Sequence, residues 1–255
     1  MGWASGKHAL ITGGGTGIGA AAARALAAEG ATVSLIGRRM EPLEVLANEL
    51  GGLALSADMT DRAAMEKAFH KARSTNGLFD HVILNAGIGD SAPFLRTGRQ
   101  AWDKIIATNL TALFDGAQLT LPDLLDNDGK DKRLVIVASV AGLRGGAYAA
   151  PYVASKHGAV GLMKSLAIEY AKSQLTINAV CPAFVDTPMV DDSAARIAKK
   201  TGRSDQEAIG AIAALNRNGR LIKPEEIGAA IAFLCSPASA STTGSCLTID
   251  GGTTA

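Results

Sequence analysis

With 25 Lys and Arg against 24 Asp and Glu, the 255-residue chain has a formal net charge of +1 and lacks the basic field that nucleic-acid binding requires. Hydrophobic residues make up 47% and charged residues 19%, enough apolar material for a sizeable core and too little charge for disorder. The longest apolar runs, such as Ala20–Ala23 and Leu134–Ala138, fall far short of the roughly 20 residues of a membrane helix. No charged segment with an apolar core opens the chain, so no secretory signal is expected. Cys181, Cys235 and Cys246 are odd in number and without CxxC spacing, which speaks for buried thiols in a reducing compartment and against a metal site. The expectation is a cytoplasmic protein with no membrane or nucleic-acid partner.

Short β-branched or aliphatic runs stand at His8–Thr12, Thr32–Ile36, Leu53–Ser56, His81–Leu84, Arg133–Ala138, Thr176–Val180 and Cys246–Ile249. Helical stretches such as Ala20–Glu29, Glu41–Leu50, Arg62–Arg73 and Tyr152–Ser173 separate them. This alternation predicts an α/β fold: a Rossmann-type, doubly wound parallel sheet of about seven strands with helices on both faces. No linker or shift of composition divides the chain, so residues 1–255 read as a single domain. The segment from about 188 to 222 departs from the rhythm. It is amphipathic and helical, follows a strand's C-terminal end, and is expected to form a small helical lid over the ligand crevice.

Between the first strand and its helix lies Thr12-Gly-Gly-Gly-Thr-Gly-Ile-Gly19. It meets neither the strict G-x-G-x-x-G pattern nor the P-loop, because Ala20 and Ala21 stand where Lys and Ser/Thr are needed. It does give T-G-x-x-x-G-x-G, with Gly13, Gly17 and Gly19. Residues without side chains let a pyrophosphate approach the backbone, and the helix N-terminus offers unpaired N–H groups and positive dipole. The second strand ends in Gly37-Arg38-Arg39, and no acidic residue occurs from Ala31 to Met40. A carboxylate there would select the free ribose of NAD; two guanidiniums suit a 2′-phosphate. NADP(H) is therefore the favoured cofactor, with NAD(H) left open should the arginines be merely solvated.

Tyr152 and Lys156 stand at i and i+4, on one helix face. A free tyrosine ionises near pH 10, and a neighbouring cation stabilises the phenolate, which suits proton exchange with an alcohol or carbonyl. Ser139 ends a buried strand upstream, and Asn85-Ala-Gly87 follows another strand end. Thr12–Gly19, Asp58, Asn85-Ala-Gly87, Asn109, Ser139, Tyr152, Lys156, Pro182 to Thr187, Pro224-Glu-Glu-Ile-Gly228 and Asp250-Gly-Gly252 come in one order. In these pieces the chain resembles the short-chain dehydrogenase/reductase family over essentially its whole length.

The resemblance implies that Tyr152 is the general acid/base and that Ser139 hydrogen-bonds the substrate oxygen. Lys156 would hold the nicotinamide ribose and depress the tyrosine pKa, and Asn109 would hold a water linking Lys156 to solvent. Gly13, Thr16, Gly17, Ile18 and Gly19, with Arg38, Arg39, Asp58, Met59, Asn85, Ala86 and Gly87, would frame the adenosine, ribose and phosphates. Pro182, Val185 and Thr187 would meet the nicotinamide, again with Tyr152 and Lys156. The family's usual Pro-Gly after the sixth strand is here Pro182-Ala183, which puts the lid hinge in question. The resemblance also implies a homotetramer built through helices around Leu110–Leu125 and Tyr152–Ser173.

The lid resembles that of the 3-hydroxybutyrate dehydrogenase and 3-oxoacyl reductase branches. At the positions matched to the former's polar grip on a small carboxylate, the chain has Gly89, Ala141 and Ala149. An unpaired buried carboxylate costs several kcal/mol, so the expected substrate is a bulkier or more apolar secondary alcohol or ketone. A 3-hydroxyacyl or 3-oxoacyl thioester is one form, its carrier phosphates meeting lid cations such as Lys199, Lys200 or Arg203. Tyr148 and Tyr170 read as packing or rim residues, His157 as facing a helix neighbour, and Asp191, Asp192 and Arg196 to Arg203 as solvated lid faces. An NAD-dependent hydroxy-acid or cyclic-alcohol dehydrogenase, and a non-catalytic dinucleotide sensor or scaffold, are the alternatives.

Overall fold

The computed structural model describes residues 2–255, Asn127 by its backbone alone. Seven parallel strands are present: β1 (His8–Thr12), β2 (Thr32–Gly37), β3 (Leu53–Ser56), β4 (His81–Leu84), β5 (Arg133–Val137), β6 (Thr176–Pro182) and β7 (Cys246–Ile249). They pair in the order β3-β2-β1-β4-β5-β6-β7. Every residue of β1, β4, β5 and β6 is buried, which is why these strands read as unbroken apolar runs rather than alternating ones. The order reverses between β1 and β4, and a crevice opens at the carboxyl ends of strands at such a switch point.

Helices α1 (Gly17–Ala28) and α2 (Met40–Leu50) cover one face through Ala22, Leu26, Leu43 and Leu46. On the other face, α3 (Arg62–Asn76) packs through Met65 and Phe69. Next come α4 (Arg99–Ile106) and α5 (Ala112–Leu125), joined without interruption by a π-helical turn over Ala107–Thr111. Helix α6 spans Ala150–Glu169 with Pro151 in its first turn. It starts and stops earlier than the expected Tyr152–Ser173: Pro151 fits the first turn, where its missing N–H is not needed, and a 3₁₀ turn followed by Gln174 at φ +62° closes the other end. Helix α1 begins three residues before the expected Ala20, directly after Thr16 in an extended conformation.

The lid consists of α7 (Pro188–Thr201), closed by Gly202 at φ +72°, and α8 (Asp205–Ala213), opened by a capping box between Ser204 and Glu207. Val190, Ala194, Ala208 and Ile212 give it a small core of its own. A bridge between Val185 and Ile222 ties its two ends together. Helix α9 (Pro224–Cys235) then returns to the α1 face. Among the described residues no helix is long and apolar enough to cross a membrane.

Candidate active site

A cleft of about 1230 Å³ runs over the carboxyl ends of the strands and under the lid. Its near wall is the glycine loop. Gly13 and Gly17 lie at φ +63° and +54°, the left-handed region that glycine enters without penalty. A Cβ on Gly13 would sit 2.8 Å from the Asn85 amide nitrogen, and one on Gly17 would sit 2.9 Å from the Thr187 methyl. Gly19 does not line the cleft. A Cβ there would stand 2.2 Å from the Gly13 carbonyl oxygen, so its bare Cα lets the loop close onto the first turn of α1.

Thr12 and Asn85 lock this loop to the end of β4. The Asn85 side-chain amide donates to the carbonyls of Thr12 and Gly13 at 3.0 and 3.1 Å. The Thr12 hydroxyl accepts from the backbone N–H groups of Asn85 and Ala86. Asn85 thus shapes the cradle with its donors already engaged. Further along the wall, Asp58 is held below the usual carboxylate range by the N–H and hydroxyl of Thr60. Arg38 and Arg39 are exposed and line the cleft, and no carboxylate comes within 4.0 Å of either among the described residues.

At the other end β5 delivers Ser139 and α6 delivers Tyr152 and Lys156. The Ser139 hydroxyl accepts from Ala141 N at 3.1 Å and points toward the Pro182 carbonyl at 3.4 Å. The Lys156 ammonium donates to the Val137 carbonyl at 2.9 Å and lies 5.7 Å from the centre of the Tyr152 ring. Burial lowers Lys156 to about 8, with the Cys181 thiol opposing. Burial also raises the Tyr152 phenol, with the Ser139 hydroxyl pulling it back. The expected depression of the phenol is therefore not present in the unliganded chain: desolvation dominates, and the ammonium stands over the ring, anchored to the strand end.

Asn109 sits in the π turn, buried just behind the cleft rather than lining it. Its carboxamide accepts from Ile88 N and donates to Ile88 O, both at 2.9 Å, and also donates to Ser155 at 3.2 Å. Both amide hydrogens are thus engaged, and the carboxamide ties the π turn to Ile88 and to α6. Ala183 does not adopt a positive φ, so its methyl is accommodated without strain. Pro182, Val185 and Thr187 line the cleft below the lid, as do Thr16, Ile18, Met59, Ala86 and Gly87 elsewhere.

The family model described as enoyl-(acyl carrier protein) reductase matches residues 13–254. Oxidoreductase UcpA of Salmonella typhimurium is 37% identical over 261 residues, covering 100% of this chain and 97% of that protein. D-beta-hydroxybutyrate dehydrogenase of Cupriavidus necator is 36% identical over 254 residues, covering 97% of this chain and 98% of its own. The chain belongs to the short-chain dehydrogenase/reductase family. It is, accordingly, an NAD(P)-dependent dehydrogenase or reductase. Among solved structures, a variant of actinorhodin polyketide ketoreductase with NADPH superposes with a TM-score of 0.92 at 32% identity, covering 97% of each chain.

Within this short-chain dehydrogenase/reductase fold two lid readings need correction. Lys199, Lys200 and Arg203 are exposed and do not line the cleft, whereas Asp192 and Arg196, read as solvated, do. The cause is helical phase: Met189, Asp192, Ser193 and Arg196 share the inward stripe of α7. His157 donates to its own helix, Nδ1 lying 3.0 Å from the Val153 carbonyl oxygen. Tyr148 is exposed with φ +64°, outside the cleft lining, and Tyr170 packs against the core. The three cysteines are free, and no group of three or more potential metal ligands occurs among the described residues.

Proposed function

We propose that the chain, acting as one dinucleotide-binding domain with a helical lid, is an NADP(H)-dependent oxidoreductase that interconverts a secondary alcohol and a ketone. A 3-oxoacyl thioester is the substrate form that best fits its large cleft. One observation carries this reading: Ser139, Tyr152 and Lys156 meet at one end of a cleft whose other end presents two unpaired arginines. The glycine cradle that a Cβ would fill and the arginine pair fit the phosphates of a nicotinamide dinucleotide. The NADPH-bound ketoreductase structure supports the same choice.

When bound, the nicotinamide supplies or accepts the hydride. In the direction of reduction, Ser139 donates a hydrogen bond to the substrate carbonyl and fixes it beside Tyr152. Tyr152, a neutral phenol at neutral pH, gives its proton to the forming alkoxide. Lys156, anchored on Val137, stabilises the phenolate left behind. Asn109, behind the cleft, would hold a water that links Lys156 to solvent and returns the proton. Exposed apolar side chains on α5 and α6, such as Phe114 at 48% and Ile168 at 80%, support assembly as a homotetramer through those helices.

The test is a panel of ketones, β-ketoacyl thioesters and secondary alcohols assayed with NADPH and NADH. Turnover with NADPH that falls by roughly 10²–10⁴ in Tyr152→Phe, with NADPH binding retained, is the expected result. NADPH binding without turnover, indifferent to Tyr152→Phe, would establish a sensor instead. A preference for NADH would overturn the cofactor choice, and sedimentation as a monomer at micromolar concentration the assembly.

A further inference from the structure

The inward face of α7 carries a cation that has no carboxylate partner among the described residues. Met189, Ser193 and Arg196 stand at i, i+4 and i+7 and line the cleft, while Ala194 turns into the lid's own core and Val190 packs there at the cleft's edge. Arg196 is half-buried and donates from one guanidinium nitrogen to the Ser193 hydroxyl at 2.9 Å. That hydroxyl in turn donates to the Met189 carbonyl at 2.8 Å, so Ser193 holds the guanidinium along the helix. Among the described residues no carboxylate comes within 4.0 Å of Arg196, although Asp192 stands one turn away and also lines the cleft. A guanidinium has five N–H donors in a planar fork that matches an oxyanion. Most of that fork faces open cleft.

The cofactor phosphates have other partners. The lid meets the glycine loop where Thr187 touches Gly17. Arg196 lies nine residues further on, which at about 1.5 Å per residue puts it about 13 Å along the helix from that contact. Arg38 and Arg39 serve the cleft's other wall. Lys104, Asp90 and Asp192 also line the cleft, Asp192 one turn from Arg196 on the same helix. Gly89 and Met189, which pack on one another, and Phe184 add an apolar wall to the cleft.

We infer that Arg196 is the specificity-determining residue of the lid, binding an oxyanion carried by the substrate. The preferred ketone then carries a carboxylate or a carrier phosphate in addition to its reacting carbonyl. This rests on the oxidoreductase reading for its substrate, but not for its binding chemistry.

The experiment compares wild type with Arg196→Gln and Arg196→Lys on three ketones: ethyl acetoacetate, which is neutral, acetoacetate, and acetoacetyl-CoA. Loss of one charge-assisted hydrogen bond predicts that the ratio of kcat/KM for a charged ketone to that for the neutral ester falls roughly ten- to a hundredfold in Arg196→Gln. Arg196→Lys, which keeps the charge without the fork, should recover part of it. Whichever charged ketone loses identifies the oxyanion as carboxylate or phosphate. An unchanged ratio for both overturns the inference while leaving the reductase reading intact. If wild type reduces none of the three, the 3-oxoacyl substrate reading fails and binding decides the inference. Malonate or coenzyme A that raises the melting temperature of the NADPH-loaded wild type, but not of Arg196→Gln, sustains it; equal shifts overturn it.

Discussion

The Lys156 ammonium is pinned at 2.9 Å to the carbonyl of Val137 and stands 5.7 Å from the centre of the Tyr152 ring. A strand end therefore fixes the cation that the phenol depends on; Lys156 is buried and Tyr152 half-buried. Burial puts Lys156 at about 8 and the phenol above its ordinary range, so at neutral pH the site holds a charged lysine and a protonated tyrosine. That combination donates a proton. Ketone reduction should hold level through neutral pH and decline above about 8, where Lys156 loses its charge and the phenolate its stabiliser. Alcohol oxidation, which needs the phenolate, should have the more alkaline optimum. Profiles of kcat/KM in both directions would show this, and a reduction rate climbing beyond pH 8 would contradict it.

Gly17 and Gly19 separate binding from folding. Gly17→Ala places a methyl 2.9 Å from the Thr187 side chain at a φ of +54°. The left-handed backbone alone costs about 1–2 kcal/mol, and the displaced Thr187 disturbs the junction of loop and lid. NADPH affinity should fall by at least about tenfold, with only a modest loss of stability. Gly19→Ala drives a methyl to 2.2 Å from the Gly13 carbonyl oxygen, a backbone atom that cannot swing away. Its main effect should be on melting temperature. Fluorescence titration with NADPH alongside thermal unfolding distinguishes the two.

These glycines also mark what the sequence does and does not disclose. The run Leu134-Val-Ile-Val137 declares a doubly buried strand, and with it the position of Ser139, because parallel strands need no alternation. The Tyr152–Lys156 pair is legible because helical spacing is local. The packing role of Gly19 is not legible, because its neighbour is Gly13, six residues away through a turn whose closure no pattern specifies. The π turn at Ala107–Thr111 has no local signal either. The Asn109 carboxamide that anchors it is bonded to Ile88, 21 residues earlier. Arg196 is misassigned for a similar reason: a charge pattern shows that α7 is amphipathic but not which polar stripe meets solvent and which meets the cleft.

Arg38 and Arg39 give a prediction that is electrostatic rather than steric. Both are exposed on the cleft wall without a carboxylate partner, so a 2′-phosphate would be gripped by groups otherwise spent on water. Arg38→Ala should weaken NADPH far more than NADH, by roughly tenfold or more for one lost charged hydrogen bond. Raised salt should erode the NADPH preference of the wild type, since the grip lies at the surface. Equal losses for both dinucleotides in a binding titration would show that the arginines do not read the phosphate.

His81 opens β4 fully inside the protein, with its Nδ1 unpartnered and the Trp3 ring 5.8 Å away. Burial pushes it from 6.5 to about 4, against the pull of Asp80. The unfolded chain protonates this imidazole from about pH 6.5 downward, whereas the folded chain refuses the proton until about 4. Stability is therefore complete above 6.5 and lost as pH falls across that window, by about 3 kcal/mol at the lower end. His8, lowered by burial as well but bonded to Gly77 and Ser34, adds to the same slope. His81→Val replaces the group with an apolar side chain suited to a buried strand and removes its share. Urea midpoints measured between pH 6.5 and 4.5 should decline more gently in His81→Val than in wild type; parallel declines would place the acid sensitivity elsewhere.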